Sequence, residues 1–277
     1  MESKQPDTAV AVSGCTIFIG KEVIMLPFIH FFGKAIPLYG LAWIVGIGLA
    51  AVAATLLCRR TELKQYDLVY SAVIAVIGGL IGSKAMFLLV SLPWILREHI
   101  PFEAVMRGGF VFYGGLIGGM VGLWLYLRVY KLPKLPFSDI FAVVLPLGHA
   151  CGRVGCYLGG CCYGLPYDGP GCVVYTYSLG DTPLHTPLFP IQLVEAVCLL
   201  VLFAVLLVLY IKRVPDGVPT LVYLIGYAVT RFVLEFFRGD AVRGVNWLST
   251  SQWISLGIVI FAVVCIAIHK KRNQATK

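Results

Sequence analysis

Five ionisable side chains lie within stretches that are otherwise apolar: Lys84, Arg153, Glu195, Arg231 and Glu235. At membrane depth each costs a few kcal/mol or more, so each needs either a partner or a task. Arg231 and Glu235 are four residues apart and share a helix face, with Arg238 one turn further on. One account is an ion pair between helices. The other is a cationic pocket for an anionic headgroup, because a planar guanidinium holds phosphate through paired hydrogen bonds. Arg153 stands in Gly152-Arg153-Val154-Gly155, where small neighbours leave its head room to reach a ligand. Arginines converging with Tyr113 at one end of a helix bundle suit phosphate recognition. Helical spacing alone does not name the reaction.

Cysteine is the second reactive group. Cys151, Cys156, Cys161, Cys162 and Cys172 crowd one region, with His149 and His185 nearby. Sulfur and imidazole together are enough for a zinc site on Cys156, Cys161 and Cys162, but no Cys-x-x-Cys pair is present, and the metal signal is weak. In an oxidising exterior a disulfide such as Cys161 or Cys162 with Cys172 is the competing expectation. Cys58, Cys198 and Cys265 sit in apolar runs and suit packing.

The elements that must position these groups follow from composition. Of 277 residues 59% are hydrophobic and only 13% charged, with a mean hydropathy of +0.87, more apolar surface than a soluble chain of this size could cover. The spacing predicts an all-α integral membrane protein of about seven helices over 36–58, 66–93, 108–128, 137–155, 190–211, 217–237 and 251–269. An arm over 1–35 precedes this domain, a loop of about 159–189 interrupts it, and a basic tail over 270–277 follows. Such a loop suits a substrate mouth or lid. No internal repeat argues for a transporter. The net charge of +8 lacks the basic stripe with aromatics that nucleic acid needs. Assigned alternately, the links put Arg59, Arg60, Lys64, Arg128, Lys131, Lys134, Lys212, Arg213, Lys270, Lys271, Arg272 and Lys277 on one side. That side is expected to be cytoplasmic, with the amino terminus outside and the carboxyl terminus inside. Met1 to Gly20 does not read as a cleavable signal peptide, and Val12-Ser13-Gly14-Cys15 lacks the apolar run of a lipid-attachment box.

Gly78, Gly79, Gly82, Gly114, Gly115, Gly118, Gly119 and Gly122 recur at spacings that let membrane helices approach closely. Gly114 and Gly115, directly after Tyr113, could also admit a lipid headgroup to the backbone.

Several segments, in order, resemble the bacterial prolipoprotein diacylglyceryl transferases. They are Pro37-Leu38-Tyr39-Gly40-Leu41, Phe112-Tyr113-Gly114-Gly115-Leu116-Ile117-Gly118, Pro146 through Arg153 to Gly164, Pro190-Ile191-Gln192-Leu193-Val194-Glu195, and Arg231 through Glu235 to Arg238, followed by Ser251-Gln252. The resemblance spans roughly Pro37 to Ile268. It implies transfer of the diacylglyceryl group of phosphatidylglycerol to the lipobox cysteine thiol of a prolipoprotein, with no cofactor, in the bacterial cytoplasmic (inner) membrane and facing the outer leaflet. The partners implied are phosphatidylglycerol, a prolipoprotein signal peptide and the bilayer, and no nucleic acid. On this resemblance Tyr113, Arg231 and Glu235 are catalytic, while Tyr39, Gly114, Gly115, Arg153, Gln192, Glu195 and Arg238 bind substrate.

This sequence also departs from that family's pattern. Tyr113 stands where the family has histidine, Cys156 and Cys161 where it has asparagine and glutamate, and Phe189 where it has another histidine. An ordinary tyrosine, with a pKa near 10, is a weak base unless an arginine lowers that value. The changes gather on the acceptor side and leave the phosphate side intact. They keep open a transferase with another acceptor, and a non-catalytic lipid-, redox- or metal-binding protein on the same scaffold. Acceptor, acyl-chain preference, cysteine state and oligomeric state are not legible in the residues.

Overall fold

The computed structural model describes residues 28–31, 34–98, 101–107, 109, 111–240, 244–245 and 247–275. The Val12–Cys15 box lies outside them. Among the described residues eight α-helices run in order: α1 (Leu38–Cys58), α2 (Gln65–Arg97), α3 (Phe102–Arg107), α4 (Phe112–Val129), α5 (Lys134–Gly159), α6 (Ile191–Ile211), α7 (Val218–Leu234) and α8 (Thr250–Ala275). The only strands among the described residues form three two-stranded hairpins: β1 (Phe28–Phe31) with β2 (Lys34–Pro37), β3 (Val173–Val174) with β4 (Pro187–Leu188), and β5 (Gly244–Val245) with β6 (Leu248–Ser249).

Among the described residues six helical segments are long and apolar enough to cross a membrane: Leu38–Cys58, Gln65–Arg97, Lys134–Gly159, Ile191–Ile211, Val218–Phe237 and Thr250–Ala267. The remaining expected crossing is a helix as well, the 18-residue α4, which falls outside that set. Side chains such as Ile44, Ile81, Leu89, Val201 and Ile260 are exposed, a surface suited to acyl chains. The protein is an all-α membrane protein. Prolines do not by themselves end these helices. α2 runs through Pro93 and α5 through Pro146, while Pro136 fits the first turn of α5, where a missing N–H leaves no bond unmade.

The chain forms two compact units, Val52–Phe141 and Met1–Ala51 with Ala142–Lys277. In the first, α2 and α4 are in backbone contact along their glycines. A Cβ at Gly82 would strike the Gly114 carbonyl oxygen, one at Gly118 the Gly78 carbonyl oxygen, and one at Gly79 would come within 3.3 Å of the Gly115 oxygen. Lys84 has a structural partner here, donating to the Val105 and Met106 carbonyls at the end of α3 at 2.7 and 3.0 Å. The Tyr126 hydroxyl donates to Asp67 Oδ1 at 3.2 Å, tying α4 to the start of α2.

In the second unit α5 carries the notches into which α1 fits. A Cβ at Gly46 would come within 2.8 Å of Cys151 and the Gly148 carbonyl, one at Gly152 within 2.8 Å of the Trp43 ring, and one at Gly155 within 2.9 Å of Ala42. Ala150 of α5 and Ala196 and Leu199 of α6 form a buried cluster against Tyr227 of α7. The loop over 160–189 has a core of its own, Val173, Tyr175 and Leu188, packed by Tyr157 and Tyr163.

Candidate functional site

α5 and α6 bring the first buried charge pair together. Arg153 lies on α5, two turns before its end, and Glu195 lies in the second turn of α6, 2% exposed. Arg153 Nη2 stands 2.9 Å from Glu195 Oε1, and His149 Nε2, one turn back on α5, stands 3.9 Å from the same oxygen. The Arg153 contact is a charge contact rather than an aligned hydrogen bond, and the buried Arg153 Nε has no hydrogen-bond partner among the described residues. A guanidinium held at one nitrogen, with a donor left over, is shaped for a second anion.

The second pair is built within one helix. Arg231 Nη2 lies 2.6 Å from Glu235 Oε2, one turn apart, and donates to Ser251 Oγ of α8 at 3.0 Å. Its Nη1 is buried with no hydrogen-bond partner among the described residues. Gln252 receives the Ser249 N–H at 2.9 Å, which closes the first turn of α8 and sets Ser251 against Arg231. His149 sits within electrostatic reach of both Arg153 and Arg231, so the two cations border one region.

Arg238 departs from its expected place. α7 ends at Leu234 and tightens into a 3-10 turn over Glu235–Phe237, leaving Arg238 extended rather than a further turn along the helix. Its guanidinium forks onto Asp240, with Nε donating to Oδ1 at 2.7 Å and Nη2 to Oδ2. Its backbone bridges Gly164, and Gly239 N–H donates to the Tyr163 carbonyl. Arg238 therefore fastens the loop to the end of α7. Asp240 was missed in the sequence, although its place two residues after an arginine was the available signal.

Gln192, 1% exposed, donates through Nε2 to the Cys161 carbonyl at 2.8 Å and to the Tyr175 hydroxyl at 3.2 Å. It secures the turn after α5. Burial pushes the Tyr175 hydroxyl up, which keeps it neutral. Tyr39, in the first turn of α1, is 39% exposed, and its backbone packs against Gly155. Tyr113, Gly114 and Gly115 form the first turns of α4 in the other unit. Gly114 is buried, and a Cβ there would strike Gly82 of α2, so the helix seam accounts for that glycine.

The chain turns sharply after α5. Gly160 and Cys162 take left-handed backbone at φ +64° and +55°, and the Cys161 N–H returns to the Cys156 carbonyl at 3.1 Å. The sulfurs of Cys156, Cys161 and Cys162 consequently lie within 4.8 Å of one another. Contact with the Cys156 and Cys161 thiols, helped by Arg238 and Arg153, holds the Cys162 thiol well below the usual range against the effect of burial. The expected pairing of Cys161 or Cys162 with Cys172 is not made. Both are free thiols, and Cys172 is disulfide-bonded elsewhere, because the tight turn faces them toward Cys156 instead.

Two largely buried arginines, each beside a glutamate and each with a donor left over, have the chemistry to receive an anion. Known proteins resemble this chain over most of its length. The family model for prolipoprotein diacylglyceryl transferase matches residues 27–268. A phosphatidylglycerol–prolipoprotein diacylglyceryl transferase of Clostridium tetani is 32% identical over 242 residues, covering 86% of this chain and 96% of its own. A second, from Clostridium perfringens, is 32% identical over 248 residues, covering 88% and 94%. One from Dehalococcoides mccartyi is 33% identical over 219 residues, covering 78% and 82%. The chain belongs to the prolipoprotein diacylglyceryl transferase family.

Proposed function

We infer that this membrane enzyme transfers the diacylglyceryl group of phosphatidylglycerol to a prolipoprotein, the acceptor being the thiol of a lipobox cysteine. The observation that carries the reading is the pair of largely buried arginines, Arg153 and Arg231, each balanced by a glutamate and each retaining an N–H with no partner among the described residues. A phosphodiester gives those donors their acceptor. As the bond from the glycerol carbon to the phosphate oxygen breaks, negative charge gathers on the departing glycerol phosphate, and fixed guanidinium groups favour that charge over the neutral ground state of the carbon. The incoming sulfur forms the new thioether bond at that carbon, and its proton passes to solvent or to the phosphate.

On this reading Arg153 holds the lipid phosphate and Arg231 assists the departing group, with Glu235 fixing its orientation. Glu195 and Gln192 position Arg153 and the loop, and Arg238 supports the loop through Asp240. Tyr39, in the first turn of α1, is assigned to the headgroup. The site lies toward the outer leaflet of the bacterial cytoplasmic membrane, which the distribution of basic links supports.

The test is direct. The purified protein, given phosphatidylglycerol and a lipobox peptide, is expected to produce a peptide of diacylglyceryl mass. Arg153→Ala is expected to lower turnover by about 100-fold or more, the scale of removing an electrostatic donor from a reacting centre. Absence of product from the intact protein, with phosphatidylglycerol bound and the peptide unchanged, would overturn the reading.

A further inference from the structure

The three thiols at the end of α5 and in the turn after it have no task in phosphate recognition, yet the fold builds them into one place. Cys156 is fixed on the last turns of α5, 8% exposed. Cys161 returns over it through the N–H bond to the Cys156 carbonyl, and Gln192 holds the Cys161 carbonyl from α6. Cys162 adopts φ +55°, a conformation uncommon for a residue with a side chain, and it is this turn that brings the third sulfur in. The Ser178 and Thr182 hydroxyls both donate to the Gly160 carbonyl, fixing the backbone between helix and thiols. All three cysteines are free.

Their sulfurs lie within 4.8 Å of one another. Three thiolates bound to one tetrahedral ion at about 2.3 Å are separated from each other by about 3.8 Å, so side-chain adjustment of about 1 Å closes the site. Three sulfur donors favour thiophilic d10 cations over hard ones. Three protein ligands also leave a fourth position, the arrangement of reactive rather than structural zinc sites. Cys161 and Cys162 are only partly buried, so that position can be reached from outside. Three thiolates around a divalent ion carry one net negative charge, and Arg153 and Arg238 lie within electrostatic reach to offset it.

We propose that Cys156, Cys161 and Cys162 bind a thiophilic divalent cation, zinc(II) being the probe, and that its open fourth position takes the acceptor's sulfur as a thiolate. The second half rests on the transferase reading, whereas the metal site does not. The acceptor thiol loses its proton to solvent on coordination and stays nucleophilic at neutral pH. Its sulfur then forms the bond to the glycerol carbon as that carbon's bond to the phosphate oxygen breaks, and the thioether, a weaker ligand, leaves. The site thereby supplies the acceptor activation that Tyr113 is poorly suited to provide.

The full chain in detergent, reduced and stripped with chelator, is titrated with zinc alone and separately with cobalt(II) and cadmium(II). Expected are one ion per chain, tetrahedral cobalt bands, and a thiolate-to-cadmium band that falls by a third in each of Cys156→Ser, Cys161→Ser and Cys162→Ser. Zinc affinity should fall at least 100-fold in each, with Cys265→Ser unchanged. No stoichiometric binding, or binding untouched by the three serine variants, overturns the site. Because these readouts need no lipid or peptide, they are independent of transfer activity. If zinc binds as expected, restoring it to stripped protein should raise transfer to the lipobox peptide at least tenfold, and equal turnover with and without zinc overturns the acceptor role. A chain that binds zinc yet transfers nothing under any condition overturns the transferase reading and leaves the metal site standing.

Discussion

Replacing Arg153 by methionine removes a cation but little volume, and leaves Glu195 as a buried carboxylate at 2% exposure without its counter-charge. Breaking one side of a buried ion pair costs about 3–5 kcal/mol, mostly through the charge left behind. For a chain of this size that corresponds to a fall of about 6–20 °C in the melting temperature. Glu195→Met should behave alike, since it strands the Arg153 guanidinium, which already has one unpartnered N–H. The double variant buries no charge at this place and should recover at least about 2 kcal/mol relative to the sum of the singles, because groups 2.9 Å apart are not additive. Thermal unfolding in detergent measures the stability side of the cycle, and diacylglyceryl transfer to a lipobox peptide measures the other. Stability should return in the double variant while turnover stays about 100-fold down, because the phosphate has lost its donor. Additive stabilities would refute the pair, and recovery of turnover along with stability would refute the assignment of Arg153 to the phosphate.

Arg231→Lys keeps the charge but loses the planar guanidinium whose Nη2 serves both Glu235 and Ser251, and should retain more turnover than Arg231→Ala, which is expected to be about 100-fold down in the same assay. Gly82→Leu, placed against the Gly114 carbonyl, should cost more than about 3 kcal/mol in thermal unfolding, whereas Gly40→Ala, with open space at its Cβ, should cost about 1 kcal/mol or less. Gln192→Leu leaves the Cys161 carbonyl without its donor and should lower stability by about 1–3 kcal/mol, read by the same melt. Between pH 8 and pH 6 an ordinary thiol loses about 80-fold in alkylation rate. Cys162, its thiol held low by the neighbouring cysteines and arginines, should lose far less in a mass-spectrometric alkylation assay of the metal-free protein.

Lipid as solvent made the helices legible, because every crossing needs a long apolar run whatever it packs against. Their ends were less so. Pro93 was expected to close a helix that in fact continues to Arg97, since a single missing donor does not stop a helix held elsewhere by its neighbours. Arg153 and Arg231 were legible because a charge in an apolar run is conspicuous, and Glu235 because four residues make one turn. Arg238 was expected at the next turn, but the switch to a 3-10 turn at Glu235 removed it from that face and gave it to Asp240. Helix periodicity carries no warning of where a helix tightens. The cysteine geometry was out of reach for a related reason: Cys162 faces Cys156 only because its backbone is left-handed, which no spacing rule for metal ligands or disulfides anticipates.

The loop between α5 and α6 is riveted at its base. Leu165 N–H bonds the Phe237 carbonyl, Phe189 N–H bonds the Leu165 carbonyl, Tyr167 N–H bonds the Pro187 carbonyl, and Gly164 leaves no room for a side chain against Phe189. The base of such a segment behaves as masonry. Its hydrogen bonds are already made in the folded chain, so they need no further ordering when a substrate arrives. Stiffening the base further should therefore leave turnover unchanged.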